Sequence, residues 1–182
     1  MNTLRVRPSN PILAVASLIS AMIMVALWVQ MRAPEQVMTR ESGVGIVPYE
    51  LAFTPGRAQE ILVSWGPEGR EAARHSLLVD FGFIPAYALS LAGITLLTAR
   101  AQQGWGQTIG FMLAIGCMAA ALFDVLENLM LLSMLNDPSV PVLTPLLAGL
   151  AASLKFLLLG LTILYWFCAW VWWLVKRGGR TS

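Results

Sequence analysis

Four ionisable side chains, Asp80, Asp124, Glu127 and Lys155, lie inside stretches that are otherwise apolar enough to sit in lipid. Intramembrane charges are costly, so they face a bundle interior or water and pair with one another. Their spacing agrees with this. Asp124, Glu127 and Asn128 stand at i, i+3 and i+4 and share one helix face. Cys117, Ala120 and Ala121 continue that face, and small residues let helices approach closely. Lys155 shares a face with Ala148, Ala151, Ala152 and Thr162, and Asp80 with Tyr87 seven residues later. Antiparallel pairing of the spans stacks these residues into a column. Asp124, Lys155 and Tyr87 fall near mid-membrane, Glu127 and Asn128 come next, and Asp80 stands farther out, beyond Asn128 and near the outer mouth. The candidate ligand- or ion-binding residues are therefore Asp80, Tyr87, Asp124, Glu127, Asn128 and Lys155.

Three carboxylates against one lysine do not balance. Either a carboxylate holds a proton or a second cation is present, supplied by Arg74, His75, a bound ion or a cationic ligand. Pro85, between Asp80 and Tyr87, is expected to free a backbone carbonyl near Phe81 and to kink the helix. A purely structural reading stands beside these: Lys155 with Asp124 or Glu127 as a buried ion pair that sets helix registry. Other chemistries lack their residues. One histidine argues against a metal or haem site, and Asp124-x-x-Glu127 has no Glu-x-x-His partner for a di-iron centre. Nucleophile elbow, P-loop and dinucleotide turn are absent. No metal and no cofactor are expected, and no nucleic-acid partner. Cys117 and Cys168 read as packing residues too far apart to bridge.

The elements that position this column follow from composition. Of 182 residues, 57% are apolar and 12% charged, about half the charge of a soluble domain. Four runs can span a bilayer, at about 11–31, 76–98, 107–135 and 145–175, the last with Thr144 as N-cap and Pro145 as first helical residue. The first reads as an uncleaved anchor rather than a signal peptide. The chain is expected to be one all-α membrane domain over 1–182, a four-helix bundle in a bacterial inner membrane. Arg5, Arg7, Arg100, Lys176, Arg177 and Arg180 place both termini and the second loop in the cytoplasm by the positive-inside rule, while the loop 136–143 has no basic residue. Trp166, Trp170 and Trp173 fit an interfacial belt.

Residues 32–75 form an extracytoplasmic cover. Tyr49, Leu51 and Phe53 alternate as in a short strand or extended stretch. Thr54 and Pro55 then open an amphipathic helix with Ala58, Ile61, Leu62 and Trp65 on one face, stopped by Gly66-Pro67. That helix is expected to lie on the membrane surface or cap the bundle.

The blocks Ser64-Trp65-Gly66, Ser76-Leu77-Leu78-Val79-Asp80-Phe81, Pro85-Ala86-Tyr87, Asp124-Val125-Leu126-Glu127-Asn128 and Lys155-Phe156 resemble a group of small four-span bacterial membrane proteins with no assigned activity. The resemblance implies architecture and nothing about reaction. The residues themselves support three expectations. The first is a binding or transport-type module, dimeric or partnered, taking a proton, a cation or an amphiphile. The second is an accessory subunit whose buried ion pair sets registry. The third is an intramembrane enzyme acting on a lipid, with carboxyl groups as acid and base.

Overall fold

In the computed structural model, which describes residues 4, 6–137 and 141–178, the chain is an all-α bundle. Arg5, Arg180 and part of the loop 136–143 lie outside the described residues. Five helices follow in order: α1 (Asn10–Ser42), α2 (Ile46–Glu50), α3 (Pro55–Ala101), α4 (Trp105–Asn136) and α5 (Leu143–Gly178). Four of them are long and apolar enough to cross a membrane, the architecture of a multi-pass membrane protein.

Helix α1 starts with Pro11 in its first turn and runs through Pro34. It ends where Gly43 turns left-handed at φ 68° and donates its N–H to the Thr39 carbonyl, a C-terminal stop that a residue without Cβ accepts at little cost. Its 33 residues reach about 50 Å at helical rise. The first helix therefore extends well past position 31 and carries Arg32, Glu35 and Gln36 beyond the expected span.

The region 46–53 is not a strand. Ile46–Glu50 is one helical turn with Tyr49 and Glu50 both buried. Side-chain alternation over three positions is too short to separate an extended segment from a tight turn, and among the described residues no strand exists for it to pair with. Phe53 closes the turn at φ 56°. Thr54 then caps α3, its hydroxyl accepting the Arg57 N–H at 3.3 Å. Ala58, Ile61, Leu62 and Trp65 do form the buried face of the first stretch of α3. That face packs with Met38, Tyr49, Leu131, Met134 and Ala148, so this stretch caps the bundle instead of lying flat on a membrane.

Gly66, at φ 61°, bends α3 without ending it, and the helix continues through Pro67. This is the only non-helical position within α3, and Pro85 leaves helical dihedrals in place. The expected kink thus sits nineteen residues earlier, at the residue whose missing side chain permits a positive φ. Helix α5 begins at Leu143, so Thr144 is already helical and is not the cap.

The helices lie side by side in the order α1, α3, α4, α5. Small residues fix the seams. Gly93 on α3 receives the Ser17 hydroxyl of α1, and Gly110 on α4 lies under the Tyr165 hydroxyl and Ala99. Helices α1 and α5 share no packed seam. At the end that holds both termini, Arg100 ties the N-terminal segment to α3, donating to the carbonyls of Leu4, Arg7 and Pro8 and to Asn10 Oδ1 at 2.7–2.9 Å. The opposite end holds α2 and the cap stretch of α3.

Candidate functional site

Within the bundle, α3, α4 and α5 bring their polar faces to one point. Lys155 Nζ lies 2.8 Å from Glu127 Oε2, 3.1 Å from Asp124 Oδ1 and 3.5 Å from Glu50 Oε2. The ammonium donates hydrogen bonds to Asp124 and Glu50 and forms an ion pair with Glu127. Tyr87 donates its hydroxyl to Asp124 Oδ2 at 2.8 Å. Both Asp124 oxygens thus have donors, the arrangement that suits an ionised carboxylate. Asn128 Nδ2 donates to Asp80 Oδ2 at 2.6 Å. Asp80 therefore stands level with Asn128, not beyond it.

The six residues singled out from the sequence are thus brought together, in two linked groups: Tyr87, Asp124, Glu127 and Lys155 in one, Asp80 and Asn128 in the other. Cys117 is buried against the Thr162 hydroxyl at 3.6 Å, Cys168 is exposed, and both are free thiols. Glu127 is fully buried, and its carboxyl is within hydrogen-bond reach of the Glu50 carboxyl.

A fourth carboxylate, Glu50, reaches the cluster from α2. Burial raises its carboxyl above the ordinary carboxylate range; Lys155 opposes the shift, and Asp124 adds to it. Glu50 falls within the expected cover, residues 32–75, and is not among the six candidate residues read from the sequence. Its one signal was its place at the end of the apolar run Ile46-Val47-Pro48-Tyr49. The expected second cation is also different. Arg74 pairs with Glu71 on its own helix at 3.5 Å, and His75 is exposed. Arg32 of α1 is the cation that faces the site, with its guanidinium 5.1 Å from the centre of the Trp28 ring.

The seam missing between α1 and α5 is occupied by a cavity of about 680 Å³, within the range of sites for drug-sized ligands. Its polar end is formed by Glu50, Asp80, Tyr87, Asp124 and Lys155. Met24 and Trp28 of α1 face Phe156 and Leu159 of α5 across its apolar walls, with Phe83 and Leu91 of α3 behind. Ile46 and Val47 of α2 roof it, and Arg32, Glu35 and Gln36 stand at the mouth. Glu127 and Asn128 lie behind the lining and support it.

The roof is anchored at several points. Glu35 Oε2 accepts the Ile46 N–H at 3.2 Å, and its other oxygen presses on Gly45, where a side chain has no room. Trp65 Nε1 donates to the Val44 carbonyl at 2.6 Å, and the Tyr49 hydroxyl donates to the Leu131 carbonyl at 3.3 Å. The chamber has apolar walls from α1, α3 and α5, an acidic end and charged residues at its mouth. Such an arrangement can hold the polar head of an amphiphile while its chain lies along apolar walls. Comparison of the chain with protein-family profiles, with curated proteins and with solved structures found no match.

Proposed function

We propose that this protein is a binding or transport-type module of a bacterial inner membrane, taking an amphiphile with a cationic head from the outer leaflet. Arg7, Arg100 and Lys176 cluster at the end holding the termini, which supports a cytoplasmic position for both. The cap and the cavity mouth then face outward.

One observation carries the reading: the cavity between α1 and α5 ends on carboxylates that outnumber its cations. Glu50, Asp80 and Asp124 line it against Lys155, which is already paired with three carboxylates, and Arg32 stands only at the mouth. An organic ammonium complements that end, and the aromatic side chains of Phe83 and Tyr87 line the cavity beside it. Among the described residues no three His, Cys, Asp or Glu side chains are grouped to hold a metal ion, which favours an organic cation. The open seam gives a route for an acyl chain without moving a helix.

The test is binding to the full chain in nanodiscs of zwitterionic lipid, comparing dodecyltrimethylammonium with dodecyl maltoside and dodecyl sulfate. The cationic head should bind at least about tenfold tighter than the other two, a difference of about 1.4 kcal/mol. The Asp80→Asn variant should lose that preference while accumulating normally in the membrane. Equal affinities for the three heads would sink the proposal.

A second reading, an intramembrane enzyme acting on a lipid, is supported by the Tyr87–Asp124 hydrogen bond at the acidic end, an acid–base pair in contact with a lipid-sized space. Turnover of a bound lipid by the wild type, lost in Asp124→Asn, would favour it.

A further inference from the structure

We infer that the chamber exchanges a proton for the cation: binding one cationic amphiphile expels one proton from the Asp80–Glu50 side of the cavity. This rests on the binding reading above and adds an activity to it.

The inference follows from charge and placement. Among the described residues, α1 contributes Arg32 and Glu35 at the mouth, and α2 contributes Glu50. Helix α3 contributes Asp80 and Tyr87, α4 contributes Asp124 with Glu127 behind it, and α5 contributes Lys155. At the mouth, the Arg32 guanidinium lies against Trp28, and Glu35 is held by the Ile46 N–H. The interior therefore holds four carboxyl groups and one ammonium. Asp124, with donors on both oxygens, is the carboxylate that Lys155 neutralises. Three more negative charges on Glu50, Asp80 and Glu127 would repel one another in a medium that screens weakly. Protons are the counter-charge available to an empty chamber.

A separate observation points the same way. Glu127 is fully buried, 2.8 Å from Lys155, and its carboxyl is within hydrogen-bond reach of the Glu50 carboxyl. Two carboxyl groups in hydrogen-bond contact require a proton between them. Glu127 sits behind the lining, whereas Asp80 and Glu50 line the cavity. The exchangeable proton is therefore on the Asp80–Glu50 side of the chamber.

The step balances without an oxidant or a co-reactant. The carboxyl O–H bond breaks, the carboxylate formed pairs with the incoming ammonium, and the proton leaves to water at the mouth. Net charge in the chamber is unchanged, so neither the loaded nor the empty state places extra charge in the bilayer.

Dodecyltrimethylammonium is a suitable probe because it carries no proton of its own. Binding to the full chain in zwitterionic nanodiscs is followed by calorimetry in two buffers of different ionisation enthalpy, with empty nanodiscs as the blank. About one proton should be released per cation bound, and Kd should fall about tenfold per unit rise in pH where release is complete. Saturable binding with no proton release and a Kd independent of pH overturns the exchange and leaves the binding reading standing. Absence of saturable binding removes both. The Asp80→Asn, Glu50→Gln double variant should still bind, more weakly, with no proton released. Unchanged release in a double variant that melts like the wild type would overturn the assignment to this chamber.

Discussion

Lys155 holds together three elements that are far apart in sequence, because Glu50, Asp124 and Glu127 all converge on its ammonium. Removing it leaves three buried carboxyl groups without a cation. Lys155→Met is expected to destabilise the protein by about 3–5 kcal/mol, the usual cost of breaking a buried pair from one side. Denaturant titration in mixed micelles checks this. Pairing it with Asp124→Leu should recover only part of the loss, since Glu50 and Glu127 remain; full recovery would mean that one simple ion pair sets the helix registry. Tyr87→Phe removes the donor to Asp124 Oδ2 and keeps the ring. It should cost about 1–3 kcal/mol, as expected for a buried acceptor left unsatisfied. A melting temperature equal to wild type would show that water or another donor replaces the hydroxyl.

At the scale of elements, α2 is the informative piece. A helix of five residues has no stability of its own, so its position depends on contacts made elsewhere. Phe53, which follows it, packs on Gly149 of α5, where an added Cβ would meet the ring carbons at 2.6–3.0 Å. Gly149→Val should therefore displace Phe53 and loosen α2, at about 1–3 kcal/mol for overpacking. Amide exchange at residues 46–50 should accelerate while α4 stays protected; unchanged exchange there would refute the coupling. Docking of α2 should also depend on pH through Glu50. Its carboxyl is raised on folding, chiefly by burial. The folded state therefore binds more protons than the unfolded one, and stability falls as pH rises above the ordinary carboxylate value. Protection of residues 46–50, corrected for intrinsic exchange, should decline with rising pH in the wild type and not in Glu50→Gln.

For the whole molecule, the proposed orientation makes a direct prediction. Val63 on the cap and Val6 near the N-terminus are both exposed and lie at opposite ends. In intact spheroplasts, a membrane-impermeant maleimide should label Val63→Cys and reach Val6→Cys only after permeabilisation. The reverse pattern would invert the topology and turn the cavity mouth towards the cytoplasm. The open side of the bundle gives the orientation its importance, because the mouth end decides which leaflet supplies the ligand.

The amino-acid sequence by itself determined the four spans and the shared face of Asp124, Glu127 and Asn128. It also determined the approximate level of Lys155 and Tyr87 and the buried face of the cap stretch. All of these follow from local quantities: apolar run length, helical periodicity and rise per residue. The errors in it were local as well. A three-residue alternation stood for a short strand or extended stretch, and a proline drew the kink that belongs to Gly66, since both signals are read from few positions. Two features were decided only by tertiary structure. Glu50 reaches Lys155 across 105 residues, and its place at the end of a short apolar run does not tell which distant residue it meets. The cavity exists because α1 packs along α3 and leaves α5 uncovered. Which helices become neighbours depends on the fit of small residues such as Gly93 and Gly110 to specific partners. Periodicity tells which face of a helix is buried, but the identity of the surface that buries it is a property of the assembled chain.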